Sequence, residues 1–273
     1  MLVYFGNSIK NPTSRKAFSL LGVWLFYCSL TTWAGPPFVT DDPEPVAYQH
    51  WELYLASQHT ETADGWSGTA PHIELNYGVV TNVQLHLIAP MAYDAPSGGG
   101  THYGYGDTEL GVKFRFIQET EHLPQVGIFP LLEIPTGSKS DGLGSGQVQA
   151  FLPLWLQKSV GDWTVYGGGY GINPGVGNEN WGFGGVVVQR QVTKNVLIGA
   201  EVYHRTMMES GGRGDTAFNI GTVMDFTEHQ HLLLSAGRSI DGRQASQKTR
   251  TKAAFRFVSP SRRLRRIHRV SDK

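Results

Sequence analysis

Three groups of residues have types and spacings that catalysis or ligand binding could use. Residues 142–146 read Gly-Leu-Gly-Ser-Gly, which has the glycines of a nucleophile elbow but places Ser145 one position late. His229 and His231 lie two residues apart, so both imidazoles could approach one metal ion from the same face of a strand. Residues 167–171 read Gly-Gly-Gly-Tyr-Gly, and phosphate-binding loops are similarly rich in glycine.

The neighbouring sequence favours a structural role for each group. A nucleophile elbow and a phosphate-binding loop both open a helix, and no helical pattern follows either glycine run. Glycines within a strand instead mark bends or the close approach of another backbone. Without a carboxylate or cysteine partner expected nearby, the two histidines are interpreted as a pair at a turn and not as a zinc site. We therefore predict no catalytic residue, no metal site and no cofactor, although a barrel hydrolase that uses Ser145 or a histidine stays an alternative hypothesis.

The sequence around these three groups is predicted to form β-strands. Apolar and polar residues alternate with a period of two in 73–79, 83–91, 109–116, 196–205, 218–225 and 252–257. In the third of these, Leu110, Val112 and Phe114 occupy one face, while Glu109 and Lys113 occupy the other. Such alternation is typical of strands with one apolar and one polar face. No segment of comparable length keeps a helical period, so the sequence predicts an all-β chain.

The connections between these strands are alternately long and short. Short ones lie at 81–82, 119–124, 161–162, 193–195 and 227–230, and longer ones, rich in Gly, Ser, Asp and Pro, lie at 59–69, 94–104, 136–146, 174–180, 208–215 and 241–246. Six long and five short connections join twelve strands of about ten residues. This asymmetry predicts a closed antiparallel transmembrane β-barrel with short periplasmic turns and longer outer loops.

The two ends of the chain are predicted not to form strands of the barrel wall. Residues 1–34 have three basic residues, then an apolar run, and end Thr-Trp-Ala, which is typical of a secretory signal peptide cleaved after Ala34. An N-terminal membrane anchor is the alternative. The chain's single cysteine, Cys28, would leave with the signal, so the exported chain has no disulfide. Residues 35–46 form a Pro-rich leader or a plug, 47–258 the barrel, and 259–273 a basic tail.

Composition excludes other classes of protein. Mean hydropathy is −0.24, and a single apolar stretch approaches the length that spans a bilayer, which excludes a polytopic helical membrane protein. Between Gly35 and Val258 there are 14 basic and 22 acidic residues, a net charge of −8, which argues against a nucleic-acid partner.

The polar faces of the strands carry charged and amide side chains that would project into the barrel interior. We predict that these residues line a channel and set its selectivity; they are His72, Glu74, Gln84, His86, Glu109, Lys113, Arg115, Glu133, Glu201, Arg205 and Asp225. Alternatively, they form a charge network that only fills the interior. A twelve-stranded barrel encloses an interior of intermediate width. Eight-stranded barrels have a filled interior, and sixteen-stranded barrels have an open channel.

Several segments, in the same order, resemble one bacterial family. These segments are 35–45 (GPPFVTDDPEP), 104–111 (GYGDTELG), 152–158 (LPLWLQK), 161–169 (GDWTVYGGG) and 172–175 (INPG). They resemble the family named for the MetA pathway of phenol degradation, whose members are described as outer-membrane barrel transporters. The resemblance implies an outer-membrane location in a Gram-negative bacterium and passage of aromatic or other small compounds. The last strand and the basic tail depart from that pattern, and the resemblance implies no catalytic residues.

The sequence thus predicts a porin-like channel for passive or facilitated diffusion of small molecules, with outer-membrane lipid and a small-molecule cargo as its partners. The alternative is a non-conducting barrel with a structural or surface-binding role.

Overall fold

The computed structural model describes residues 37–175, 179–208, 214–240 and 249–259. The predicted signal peptide, residues 35–36 and the basic tail beyond Ser259 lie outside these described residues. Within the described ranges, no helix is long and apolar enough to cross a membrane.

The described residues form sixteen strands that make one closed barrel. The strands are β1 (Trp51–Glu61), β2 (Gly65–Val80), β3 (Val83–Pro96), β4 (His102–Tyr105), β5 (Thr108–Ile117), β6 (Gln125–Ile128), β7 (Leu131–Ile134), β8 (Gln149–Phe151), β9 (Leu154–Val160), β10 (Trp163–Gly168), β11 (Gly171–Ile172), β12 (Phe183–Thr193), β13 (Val196–Arg205), β14 (Asp215–Thr227), β15 (Gln230–Ser239) and β16 (Thr249–Val258). Neighbouring strands pair antiparallel, and β1 pairs with β16 to close the ring.

Eight of these strands are the two halves of four interrupted barrel strands: β4 with β5, β6 with β7, β8 with β9, and β10 with β11. The barrel therefore has twelve strands, which confirms the predicted fold class. The alternation of residues did not predict the interruptions. Two of them fall at Pro130 and Pro153, which lack the N–H that a continuous ladder requires.

The glycine run at 167–171 lies at the interruption between β10 and β11. Gly168 has a φ of 147°, and a Cβ atom there would collide with the carbonyl oxygen of Leu154 on the paired strand. The predicted role of this run, a bend with close backbone approach, is confirmed.

Apolar side chains cover the outside of the barrel and polar side chains lie inside it. Leu85, Val112 and Phe114 are 42–45% exposed, whereas Glu74 and Glu201, on inward-facing positions, are 4% and 1% exposed. This is the reverse of a water-soluble sandwich, because backbone and side chains in lipid have no water to bond. A closed barrel with an apolar outer face belongs in the bacterial outer membrane, as predicted.

One predicted connection is wrong. Residues 59–69 were expected to form a long outer loop, but β1 continues to Glu61 and β2 begins at Gly65, so three residues connect them. The strands continue through polar sequence because inward-facing polar side chains are compatible with a barrel strand. His59, for example, is buried and bonds the Tyr93 hydroxyl at 2.7 Å through Nδ1. The predicted connection at 241–246 and most of the one at 208–215 lie outside the described residues. The other predicted connections match the gaps between strands to within a few residues.

Candidate functional site: the barrel interior

Eight of the eleven predicted interior residues are almost fully buried. His72, Glu74, Gln84, His86, Glu109, Lys113, Glu133 and Glu201 are each 1–8% exposed. Arg115, Arg205 and Asp225 are half-buried on the same inward-facing registers, nearer the strand ends. The inward direction of all eleven follows from the period-two alternation, because each strand has one face toward the closed interior.

Four of these side chains join one hydrogen-bond network on β2, β3 and β5. Asn76 connects them: its amide group donates to Glu74 at 2.8 Å, and its carbonyl oxygen accepts from Gln84 at 2.9 Å. His86 bonds that same oxygen through Nδ1 at 2.7 Å and Glu109 through Nε2 at 2.9 Å. A buried network in which each member has partners holds its side chains in one arrangement.

Residues 37–46, called the N-terminal segment below, lie inside the barrel. Phe38 and Thr40 are each 1% exposed, and Phe38 packs against Tyr166 and Val187 of the barrel wall. The backbone N–H groups of Val39 and Thr40 donate to the Glu201 carboxylate at 3.0 Å and 2.5 Å. A carboxylate that accepts backbone N–H groups is a strong, charge-assisted partner.

The other half of the N-terminal segment is held by ion pairs. Lys113 Nζ lies 3.0 Å from Asp41 and 3.7 Å from Asp42, and Arg115 lies 2.7 Å from Glu44. Burial raises the pKa of Asp42 to about 6, although the Lys113 ammonium opposes the shift. Lys113 and Glu201, both predicted to line a channel, therefore contact this segment.

A cavity of about 320 Å³ lies between the barrel wall and the connection from β7 to β8. Its polar lining includes His72, Glu133 and three side chains that sequence reasoning did not select, Asp107, Gln149 and Asn173. Its apolar lining includes Ile88, Ala92, Leu143 and Met208. Such a volume with mixed lining is in the range of small-molecule sites.

Asp107 holds the connection between β7 and β8 over this cavity. One carboxylate oxygen accepts from the Gly137 N–H at 2.9 Å, and the other accepts from the N–H and hydroxyl of Ser145 at 2.6 Å and 2.9 Å. Leu143, in the same connection, is 7% exposed and faces the cavity. The glycines around Ser145 let this connection fold close to Asp107, since a Cβ atom at Gly144 would meet the carboxylate.

Aromatic side chains cover one side of the interior. Phe129, Phe151, Trp155, Trp181, Phe183 and Tyr203 form one cluster of buried residues. The Phe151 and Trp181 rings stack with centroids 5.1 Å apart. Met208 packs against this cluster and also lines the cavity, so the aromatic surface and the cavity adjoin each other.

The residues with catalytic spacing are engaged elsewhere. The Ser145 hydroxyl donates to Asp107 and to the Gln147 carbonyl, and no histidine is among its partners in the described part of the chain. His231 bonds Asp225 at 2.5 Å near the turn between β14 and β15. In the described ranges, no group of three or more His, Cys, Asp or Glu side chains is placed to hold a metal ion.

Several interior residues were missed by sequence reasoning. Asn76 and Asn219 occupy the same alternating positions as Glu74 and Glu201, so the period-two pattern contained the signal for them. Gln149 and Asn173 lie on or beside strands of three and two residues, which are too short for any alternation to be detected.

Comparison with known proteins gives structural neighbours alone. No protein-family model matches the sequence, and no curated protein matches it. An outer membrane channel from Pseudomonas putida F1 is 17% identical with a TM-score of 0.64, covering 80% of this chain and 98% of that one. The KdgM porin is 10% identical with a TM-score of 0.54, covering 77% of this chain and 99% of that one. Both likenesses concern the fold, which for this chain is that of a closed outer-membrane barrel.

Proposed function

We propose that this protein is an outer-membrane channel for diffusion of small molecules, in which the N-terminal segment is a plug that leaves its seat to open the path. One observation carries this proposal. The segment occupies the interior but is held there by hydrogen bonds and ion pairs to side chains, chiefly Glu201 and Lys113, and not by pairing along a barrel strand. Contacts of this kind can be broken while the barrel wall stays intact. The two barrels of similar fold, one named a channel and the other a porin, support the same function.

Single-channel recording in planar bilayers tests the proposal. We expect the chain from Gly35 to give brief current steps, and a variant without residues 37–46 to give long-lived steps of larger conductance. A folded barrel that stays silent in both forms would remove the channel and support the non-conducting alternative. The N-terminal segment is also compatible with the non-conducting alternative, because a plug that never leaves the interior would leave no path for solutes.

We further propose that the cargo includes small aromatic compounds. The cavity adjoins the aromatic cluster through Met208, and its apolar lining and hydrogen-bonding groups together suit a ring with a polar substituent. Current block by 4-hydroxybenzyl alcohol, compared with 1,6-hexanediol, separates the two kinds of solute. Stronger block by the aromatic alcohol, reduced in a Met208→Ser variant, is expected. Equal block would contradict the aromatic preference and leave the channel itself unaffected.

A further inference from the structure

Two cations of the barrel wall take their carboxylate partners from the N-terminal segment. Lys113 and Arg115 lie two positions apart on the inward-facing side of β5. Lys113 Nζ lies 3.0 Å from Asp41 and 3.7 Å from Asp42. The Arg115 guanidinium lies 2.7 Å from Glu44. In the described part of the chain, no carboxylate of the barrel wall comes within 4.0 Å of either cation.

The wall itself offers these two cations uncharged partners. Arg115 donates to the side-chain oxygens of Asn82 and Gln125 at 2.9 Å and 3.1 Å. The Lys113 ammonium lies 4.8 Å from the centre of the Phe129 ring. When the N-terminal segment leaves, both cations lose their opposite charges, which is costly for groups held away from water. An anion that takes the place of the departed carboxylates removes this cost, because charge-assisted hydrogen bonds to it replace those that were broken.

The ion pairs differ in how easily a solute can reach them. The Glu44 side chain is 53% exposed and that of Arg115 is 18% exposed, whereas Lys113 and Asp41 are 6% and 5% exposed. Arg115 is also near the end of β5, beside the turn at 119–124 that is predicted to face the periplasm. Exposed ion pairs are weak and exchange readily with solutes. A ligand from the periplasm therefore meets Arg115 first and reaches Lys113 as the segment moves away.

The spacing of the two cations suits a solute with two carboxylates. Residues i and i+2 of a strand lie about 6.8 Å apart on one face. The planar guanidinium of Arg115 can hold one carboxylate through two parallel hydrogen bonds, and the Lys113 ammonium can hold the other. We infer that Lys113 and Arg115 form a binding site for a small dicarboxylate, which replaces the carboxylates of the N-terminal segment and so favours the open channel. The regulatory part of this inference rests on the proposed function, because it requires a plug that can leave the interior.

Calorimetric titration of adipate into the folded barrel in detergent tests the site. Adipate has two carboxylates joined by four methylene groups, and hexanoate is its analogue with a single carboxylate. The competing carboxylates are removed in one variant of the full chain by Asp41→Asn, Asp42→Asn and Glu44→Gln. Adipate should bind this variant about tenfold more tightly than the wild type, because apparent affinity falls with the fraction of molecules whose site is free. Hexanoate should bind about tenfold more weakly than adipate.

Two further substitutions in that variant locate the bound adipate. Arg115→Gln should weaken binding about tenfold. Arg190→Gln is the matched control and should leave binding unchanged, because Arg190 is exposed on the outer face of β12. Equal affinity of the wild type and the variant without the three carboxylates overturns the inference. So does binding that survives Arg115→Gln, equal binding of hexanoate, or the absence of binding in every folded form.

Single-channel recording distinguishes failure of this inference from failure of the channel function. With adipate on both sides of the bilayer at constant ionic strength, the open probability of the wild type should rise several-fold and then saturate, because a ligand shifts the equilibrium toward the state that binds it. The uncharged analogue 1,6-hexanediol should cause no rise. Adipate binding without a rise, in a barrel that conducts, overturns the regulatory role. A barrel that binds adipate as expected but never conducts would remove the proposed channel and support the binding site.

Discussion

The backbone N–H of Thr40 donates to the carboxylate of Glu201 at 2.5 Å, although 161 residues separate the two in sequence. Val39 donates to the same carboxylate, and Asn219 donates to it from the next strand at 2.7 Å. Glu201 is 1% exposed. One side chain of the wall thus fixes the middle of the N-terminal segment.

Replacing Glu201 by Gln should weaken the contact that holds the N-terminal segment inside the barrel. The amide nitrogen cannot accept a hydrogen bond, and the remaining bonds lose their charge assistance, which costs about 1–3 kcal/mol. The open probability in planar bilayers should therefore rise roughly five- to a hundredfold. The control is Glu228→Gln, a largely exposed carboxylate at a periplasmic turn. An unchanged open probability would show that Glu201 does not hold the N-terminal segment in place.

The raised pKa of Asp42 predicts that the N-terminal segment is held more firmly in acid. The seated carboxyl has a pKa of about 6, above its ordinary value of 3.8, so the seated state binds a proton more tightly than the released state. Protonation of Asp42 therefore stabilises the N-terminal segment in its position inside the barrel. This stabilisation is complete below pH 3.8 and is lost as the pH rises through about 6. The open probability of the channel should fall as the pH is lowered from 7.5 to 5. In Asp42→Asn this pH dependence should weaken; if it is unchanged, another group titrates.

The carboxylates around the cavity should make the open path favour cations. Asp107, Glu109 and Glu133 line it, and no lysine or arginine is among its described lining residues. At pH 9, Glu133→Gln should lower the cation-to-anion permeability ratio by up to about fivefold, the factor given by the ~1 kcal/mol between unit charges about 4 Å apart in water. Reversal potentials in a potassium chloride gradient measure this ratio. An unaltered ratio, with conductance preserved, would place the ion path away from the cavity.

Gly168 should be essential for closing the barrel wall. Its φ of 147° is one that other residues rarely adopt, and a Cβ atom would collide with the Leu154 carbonyl. Gly168→Ala should reduce the yield of folded barrel, measured as the heat-modifiable band after refolding. Gly184→Ala is the matched control on the next strand, because a Cβ there meets nothing within 4 Å. Equal yields for the two variants would contradict the steric argument.

Local patterns in the sequence were enough to predict the barrel, the strand count and the direction of most side chains. This was possible because alternation with a period of two is a local property: Glu109 and Lys113 face inward for the same reason that Leu110 and Phe114 face lipid. The even number of strands and the turn lengths then followed from the spacing of polar, glycine-rich connections.

Which interior residues contact one another depends on the folded barrel and could not be predicted from the sequence. Residues 37–46 have no periodicity that distinguishes a leader from a segment inside the barrel, and their partners Lys113 and Glu201 lie on distant strands. The interruptions at Pro130 and Pro153, and the continuous pairing that replaced the expected loop at 59–69, likewise depend on the neighbouring strands. Contacts across a closed barrel join residues far apart in sequence, and no local pattern encodes them.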